Sequence, residues 1–115
     1  MFDQPTREAY QKELTALITA RLSGNEGKAR VCARRAAGIA ARAFCNILGI
    51  HYENPSAISV LNLIHELDLL PETTRQHIDR LLLQVDTNHR LPENIDLEVE
   101  ANALVADLEA LITGG

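Results

Sequence analysis

Asn25 to Leu48, NEGKARVCARRAAGIAARAFCNIL, is the longest uninterrupted helical pattern in the chain, and the rest is read outward from it. At about 100° per residue, Cys32, Ala36, Ile39, Ala40, Ala43, Phe44 and Ile47 fall on one broad face. Lys28, Val31, Arg34, Arg35, Gly38, Arg42 and Asn46 fall on the opposite wedge. This is an amphipathic helix with a wide apolar side made mostly of alanine. Small side chains let neighbouring helix backbones approach closely, so the helix is expected at the centre of a bundle. Asn25 is its expected N-cap and Gly49 its stop.

The charge on this helix is lopsided. Five basic residues lie between Lys28 and Arg42 (Lys28, Arg30, Arg34, Arg35, Arg42) and no acidic one. A run of this kind reads first as a face paired to carboxylates of neighbouring helices or of a second subunit. Its sharper reading is an anion or nucleic-acid contact strip built on Arg34, Arg35 and Arg42. The chain as a whole carries −5, and from Asp86 onward seven carboxylates face a single Arg90. Nucleic-acid contact would therefore be local, against an unfavourable overall field. Phe2, Tyr10, Phe44 and Tyr52 are the only aromatics, too few for a base-stacking platform.

The other segments also read as helices. Pro5 opens a first helix from about Thr6 to Leu22, with Tyr10, Leu14, Leu17, Ile18 and Leu22 as its stripe. Ser23-Gly24-Asn25 breaks it. Asn54-Pro55 is expected to start a third helix with Ile58, Leu61, Ile64 and Leu67 inward. Pro71 opens a fourth, covered at its entry by Leu69 and Leu70, with Ile78, Leu81, Leu82 and Val85 inward; Leu83 projects off that stripe. After the loop Asp86 to Pro92, a fifth runs from about Glu93 to Ile112, with Leu97, Ala101, Leu104, Leu108 and Leu111 inward. No segment alternates as a strand does. The expected fold is all-α, a compact antiparallel bundle of four to five helices in one domain of 115 residues.

Chemistry is sparse. His51, His65, His77 and His89 never stand three or four positions from one another or from a cysteine, so no metal is expected. His65 and Glu66 are adjacent and should point apart on a helix. SGNEGK, Ser23 to Lys28, has no preceding strand and no hydroxyl residue after the lysine, so it is not a phosphate loop, and no cofactor is expected. Cys32 and Cys45 are thirteen positions apart on one helix, about 20 Å, and read as buried free thiols of a reducing, cytoplasmic compartment. No apolar run approaches a membrane span, and the first residues do not resemble a signal peptide. One polar cluster stands out: Asn88 and His89 in the loop before the last helix, with Arg80 on the helix ahead of it. Such a set can hold a phosphate and supply a general acid or base, or it can simply form a turn.

The order of elements resembles the HEPN superfamily. The resemblance covers Ala29 to Ile112: ARRAAGIAARAFCNILGI, then SAISVLNLIHEL, then Leu-Leu-Pro and a helix leading to Asn-His before a long last helix. It implies a helical bundle that dimerises, either an RNase of a toxin or defence system or a noncatalytic RNA-binding or partner-binding module. The family's catalytic signature is an Arg, then four to six intervening residues, then a His. For His89 those positions are Leu82, Leu83 and Gln84, and Arg80 lies too far back. The resemblance therefore implies a noncatalytic, homodimeric interaction module acting through protein partners. The alternative is an RNA-binding protein or RNase that uses the basic helix with Asn88 and His89. A small-ligand binder that uses the alanine-rich interior is a third possibility, and the poorest, because small residues favour close packing over cavities.

Overall fold

The computed structural model describes residues 2–83 and 95–114; among them the chain forms five α-helices and no strand. α1 spans Gln4–Leu22 and α2 spans Glu26–Ile47. α3 spans Ala57–His65, α4 Glu72–Leu81 and α5 Leu97–Thr113. Val85, Asn88, His89 and the rest of the expected loop lie outside the described residues.

Local chemistry sets most of the ends. Asp3 caps α1 by accepting from Thr6 N at 2.9 Å, which starts the helix two residues before the Thr6 expected from Pro5. Asn25 caps α2 as expected, accepting from Lys28 N at 3.0 Å. Gly49, at φ +78°, ends α2 in the left-handed region that a residue with a Cβ avoids. Ser56 caps α3 instead of Asn54. Asn54 instead accepts from Ser56 N at 2.9 Å, an Asx turn that delays the helix by two residues. Pro71 precedes α4, and Asp96 caps α5.

α1 and α2 form a helical hairpin, since the N-terminal turns of α1 lie beside the C-terminal turns of α2. α5 begins beside the α1–α2 turn, where Arg21 meets Asp96 at 3.0 Å and Glu98 at 2.9 Å. α5 therefore runs antiparallel to α1 and in the same direction as α2. α4 and α5 are antiparallel, with Thr74 bonded to Asp107 and Arg80 to Glu100. α2 contacts α1, α3 and α5 and is the central helix, as its alanine face predicts. Ala33, Ala36, Ala37, Ala40 and Ala41 are fully buried on it, around Phe44.

The core departs from the expected stripes at their ends. Leu14 and Leu17 of α1 are buried, but Ile18 is exposed and Leu22 is 85% exposed where the chain turns. Ile47 at the end of α2 and Ile58 at the start of α3 are also exposed, while Val60, Leu61 and Ile64 are buried. Leu70 covers the entry to α4 and Leu69 does not. Leu97, Ala101, Leu104 and Leu108 of α5 face inward as expected. Cys32 and Cys45 are buried free thiols.

Candidate functional site

The polar wedge of α2 is the floor of an open groove of about 670 Å³. One wall is the N-terminal half of α1, with Pro5, Thr6, Ala9 and Glu13. The other is the start of α3, with Pro55, Ser56, Ala57 and Ile58. Along the floor the lining residues run from Val31 to Asn46, fifteen positions or about 22 Å of helix.

Gly38 lies mid-floor and sets the spacing of one wall. A Cβ at Gly38 would stand 2.7 Å from the Ala57 Cβ and 3.0 Å from its Cα. The α3 backbone therefore rests directly on α2 here, which only glycine permits. Gly38 falls within the basic wedge of the helical wheel, yet it is buried by this crossing.

Arg34, Arg35 and Arg42, the three expected anion contacts, all line this groove. They are not equivalent. Arg34 Nε donates to Leu81 O and its Nη2 to Leu83 O, both at 2.7 Å. Arg42 Nη1 donates to Tyr52 O at 3.2 Å and its Nη2 to Asn54 O at 2.8 Å. The expected partners were carboxylates; the partners found are main-chain carbonyls at the end of α4 and in the α2–α3 connection. The carbonyls after a helix lack intrahelical donors, and a planar guanidinium fits two of them at once. Burial, and then the neighbouring Arg30, lower the Arg34 guanidinium from its ordinary value, though it stays charged. Arg35 is exposed and has no hydrogen-bond or ion-pair partner among the described residues. Glu13 is the one carboxylate in the lining.

Apolar side chains face the same space. Val31 is 43% exposed on the floor and Ile58 52% exposed on the α3 wall. Val31 already sat on the polar wedge of the wheel. Ile58 was expected inward, and its exposure follows from α3 meeting α2 through Ala57 one residue earlier.

A second polar group lies between α4 and α5. Glu100, 9% exposed, accepts from Arg80 Nη1 at 3.1 Å and lies 2.9 Å from His77 Nδ1. His77 Nε2 is 3.8 Å from Asp107, which also accepts from the buried Thr74 hydroxyl at 2.9 Å. Arg80 is thus committed to Glu100, and its proposed companions Asn88 and His89 lie outside the described residues. Only the i, i+3 spacing of Thr74, His77 and Arg80 hints at this network in the sequence. His65 also differs from expectation: Nδ1 lies 3.2 Å from Glu66, because Glu66 is already the cap residue of α3. Its Nε2 is 2.8 Å from Asp79, close but not aligned as a hydrogen bond.

Among the described residues no three His, Cys, Asp or Glu are grouped to hold a metal, and no helix is long and apolar enough to cross a membrane. No family model, no curated protein and no solved structure matches the chain.

Proposed function

We propose that this protein is a noncatalytic helical interaction module acting through protein partners, with the α1–α2–α3 groove as its contact surface. The observation that carries the reading is the exposure of Val31 and Ile58 toward one groove about four helical turns long. Large apolar side chains gathered in a concave surface mark a contact site more often than singly scattered ones do. The chemically richest cluster, around Glu100, is saturated by its own partners, and none of its members lines the groove. Self-association belongs to the same reading, in keeping with the HEPN resemblance in its noncatalytic form. Leu22 at the end of α1 and Val99 on α5, both well exposed, supply surface for it outside the groove.

RNA is the weaker occupant. Arg34 and Arg42 each commit two donors to backbone carbonyls, which leaves Arg35 as the unpartnered arginine of the three. The test is a comparison of the proteins retained from cell extract by the wild type and by a Val31→Asp, Ile58→Asp double variant. Both positions are exposed, so the variant should melt within a few degrees of the wild type. A partner retained stoichiometrically by the wild type and lost by the variant supports the groove. Identical retained sets would remove it. A labelled RNA titrated across a salt series against Arg35→Glu tests the alternative.

A further inference from the structure

We infer that the groove takes an amphipathic helix of another protein, about four turns long, with carboxylates along one flank of its apolar stripe. This rests on the reading of the groove as the contact surface. Shape comes first. Two helices wall the groove and a third floors it, so a fourth helix completes the layer, as in helix-in-groove recognition. No strand edge is offered among the described residues, so an extended peptide has no ladder to join. A floor of about 22 Å accommodates roughly fifteen residues of helix. Val31, Ile39 and Ile58 would meet apolar side chains recurring every three or four positions.

Charge decides the flank. Arg35 stands on this floor with its donors free among the described residues, while Arg34 and Arg42, whose donors are partly taken by main-chain carbonyls, add positive charge beside it. Glu13, on the α1 wall, is the single carboxylate among the residues that line the groove with them. The chain carries −5 overall, so this floor is positive within an acidic molecule. A partner helix with carboxylates over α2 matches that field, and one with lysines there opposes it.

The same charges argue against a second copy. A two-fold dimer with groove on groove would set arginines against arginines. The acidic α5 of another copy has little to offer. Asp96 and Glu98 bind Arg21, Glu100 binds His77 and Arg80, and Asp107 accepts from Thr74. Of its carboxylates only Glu109 has no partner among the described residues.

The experiment uses three labelled helical peptides of about 18 residues with one apolar stripe and flanks of Glu, Gln or Lys. Anisotropy is read against the full chain, Arg35→Glu and Ile58→Asp, with helicity checked by circular dichroism and size by light scattering. The Glu peptide should bind the wild type roughly tenfold tighter than the Lys peptide, and Arg35→Glu should erase or invert that order. Ile58→Asp should weaken every peptide. Equal binding of Glu and Lys flanks overturns the acidic partner, while sensitivity to Ile58→Asp would still keep the groove as the contact surface. If no peptide binds and Ile58→Asp turns a wild-type dimer into a monomer, the occupant is a second copy and the inference fails alone. No peptide binding and no change in size overturns both.

Discussion

Arg34 and Arg35 are neighbours in sequence with opposite roles. Arg34 closes the end of α4 through two 2.7 Å bonds to main-chain carbonyls, and Arg75 does the same for α3 through His65 O and Leu67 O at 3.0 and 2.8 Å. Removing a charged donor from part-buried carbonyls costs about 1.5–3 kcal/mol. Arg34→Met should lose that much in urea unfolding, and Arg35→Met less than about 0.5 kcal/mol. Lysine should not rescue position 34, because one ammonium cannot copy the planar fork. Tyr10 offers a second test. Its hydroxyl lies 2.6 Å from Asn102 Oδ1, and burial, then the charge of Glu98, push its phenol above the ordinary 10.0. A raised folded value means that its contribution is intact below pH 10.0 and lost as pH rises beyond it. Thermal melts should therefore fall above pH 10.0, and Tyr10→Phe should flatten that fall.

At the scale of elements, the contact of α3 on α2 depends on one missing methyl group. Gly38→Ala would ordinarily gain about 1 kcal/mol in a helix interior. Here the new Cβ would stand 2.7 Å from Ala57 Cβ, and overpacking of that kind costs about 1–3 kcal/mol. A net loss of stability in Gly38→Ala, partly restored by adding Ala57→Gly, would measure the crossing; the Ala57 Cα at 3.0 Å keeps the rescue incomplete. The caps follow a simpler rule. Asn25 and Pro71 act as their neighbours in sequence predict, whereas Asn54 and Ser56 are both competent caps, and packing of Ala57 on Gly38 selects the later one.

At the scale of the whole molecule, two polar clusters tie distant segments together. Arg21 joins the α1–α2 turn to the start of α5. Burial tends to raise the Asp96 carboxyl, but its bond to Arg21 outweighs this and holds it below the ordinary 3.8. A lowered folded value means stability that is present above pH 3.8 and lost as pH falls through the folded value. Melting temperature should drop in that acid range, and Asp96→Asn should drop less steeply while starting lower at neutral pH. Glu100 joins α4 to α5, and Glu100→Ala would leave His77 and Arg80 without their shared carboxylate. Arg80 is 39% exposed, so solvent screens that pair, and the loss read by chemical denaturation should be about 1–3 kcal/mol.

The order of the five helices, the centrality of α2 and the buried thiols were legible in the sequence, because each depends on spacing along one helix or on a residue beside its end. The period of Leu97 to Leu108 is a local fact, and burial followed it. On α2, Cys32, Ala36, Ala40 and Phe44 of the expected face are buried, but Ile39 and Ala43 are only half-buried and Ile47 is exposed, while Ala29, Ala33, Ala37 and Ala41 are buried instead. The groove was only half legible. Arg34, Arg35 and Arg42 could be named as one strip, but a helical wheel does not say which flank of a wide face a neighbouring helix covers. Crossing geometry exposed Ile58, buried Gly38 and turned two of the three arginines toward carbonyls ten or more residues away in the chain. Local spacing determined what could be a helix and which face was apolar. Only the tertiary structure decided which apolar edges stayed open and which charges stayed free, because both depend on where separate helices touch.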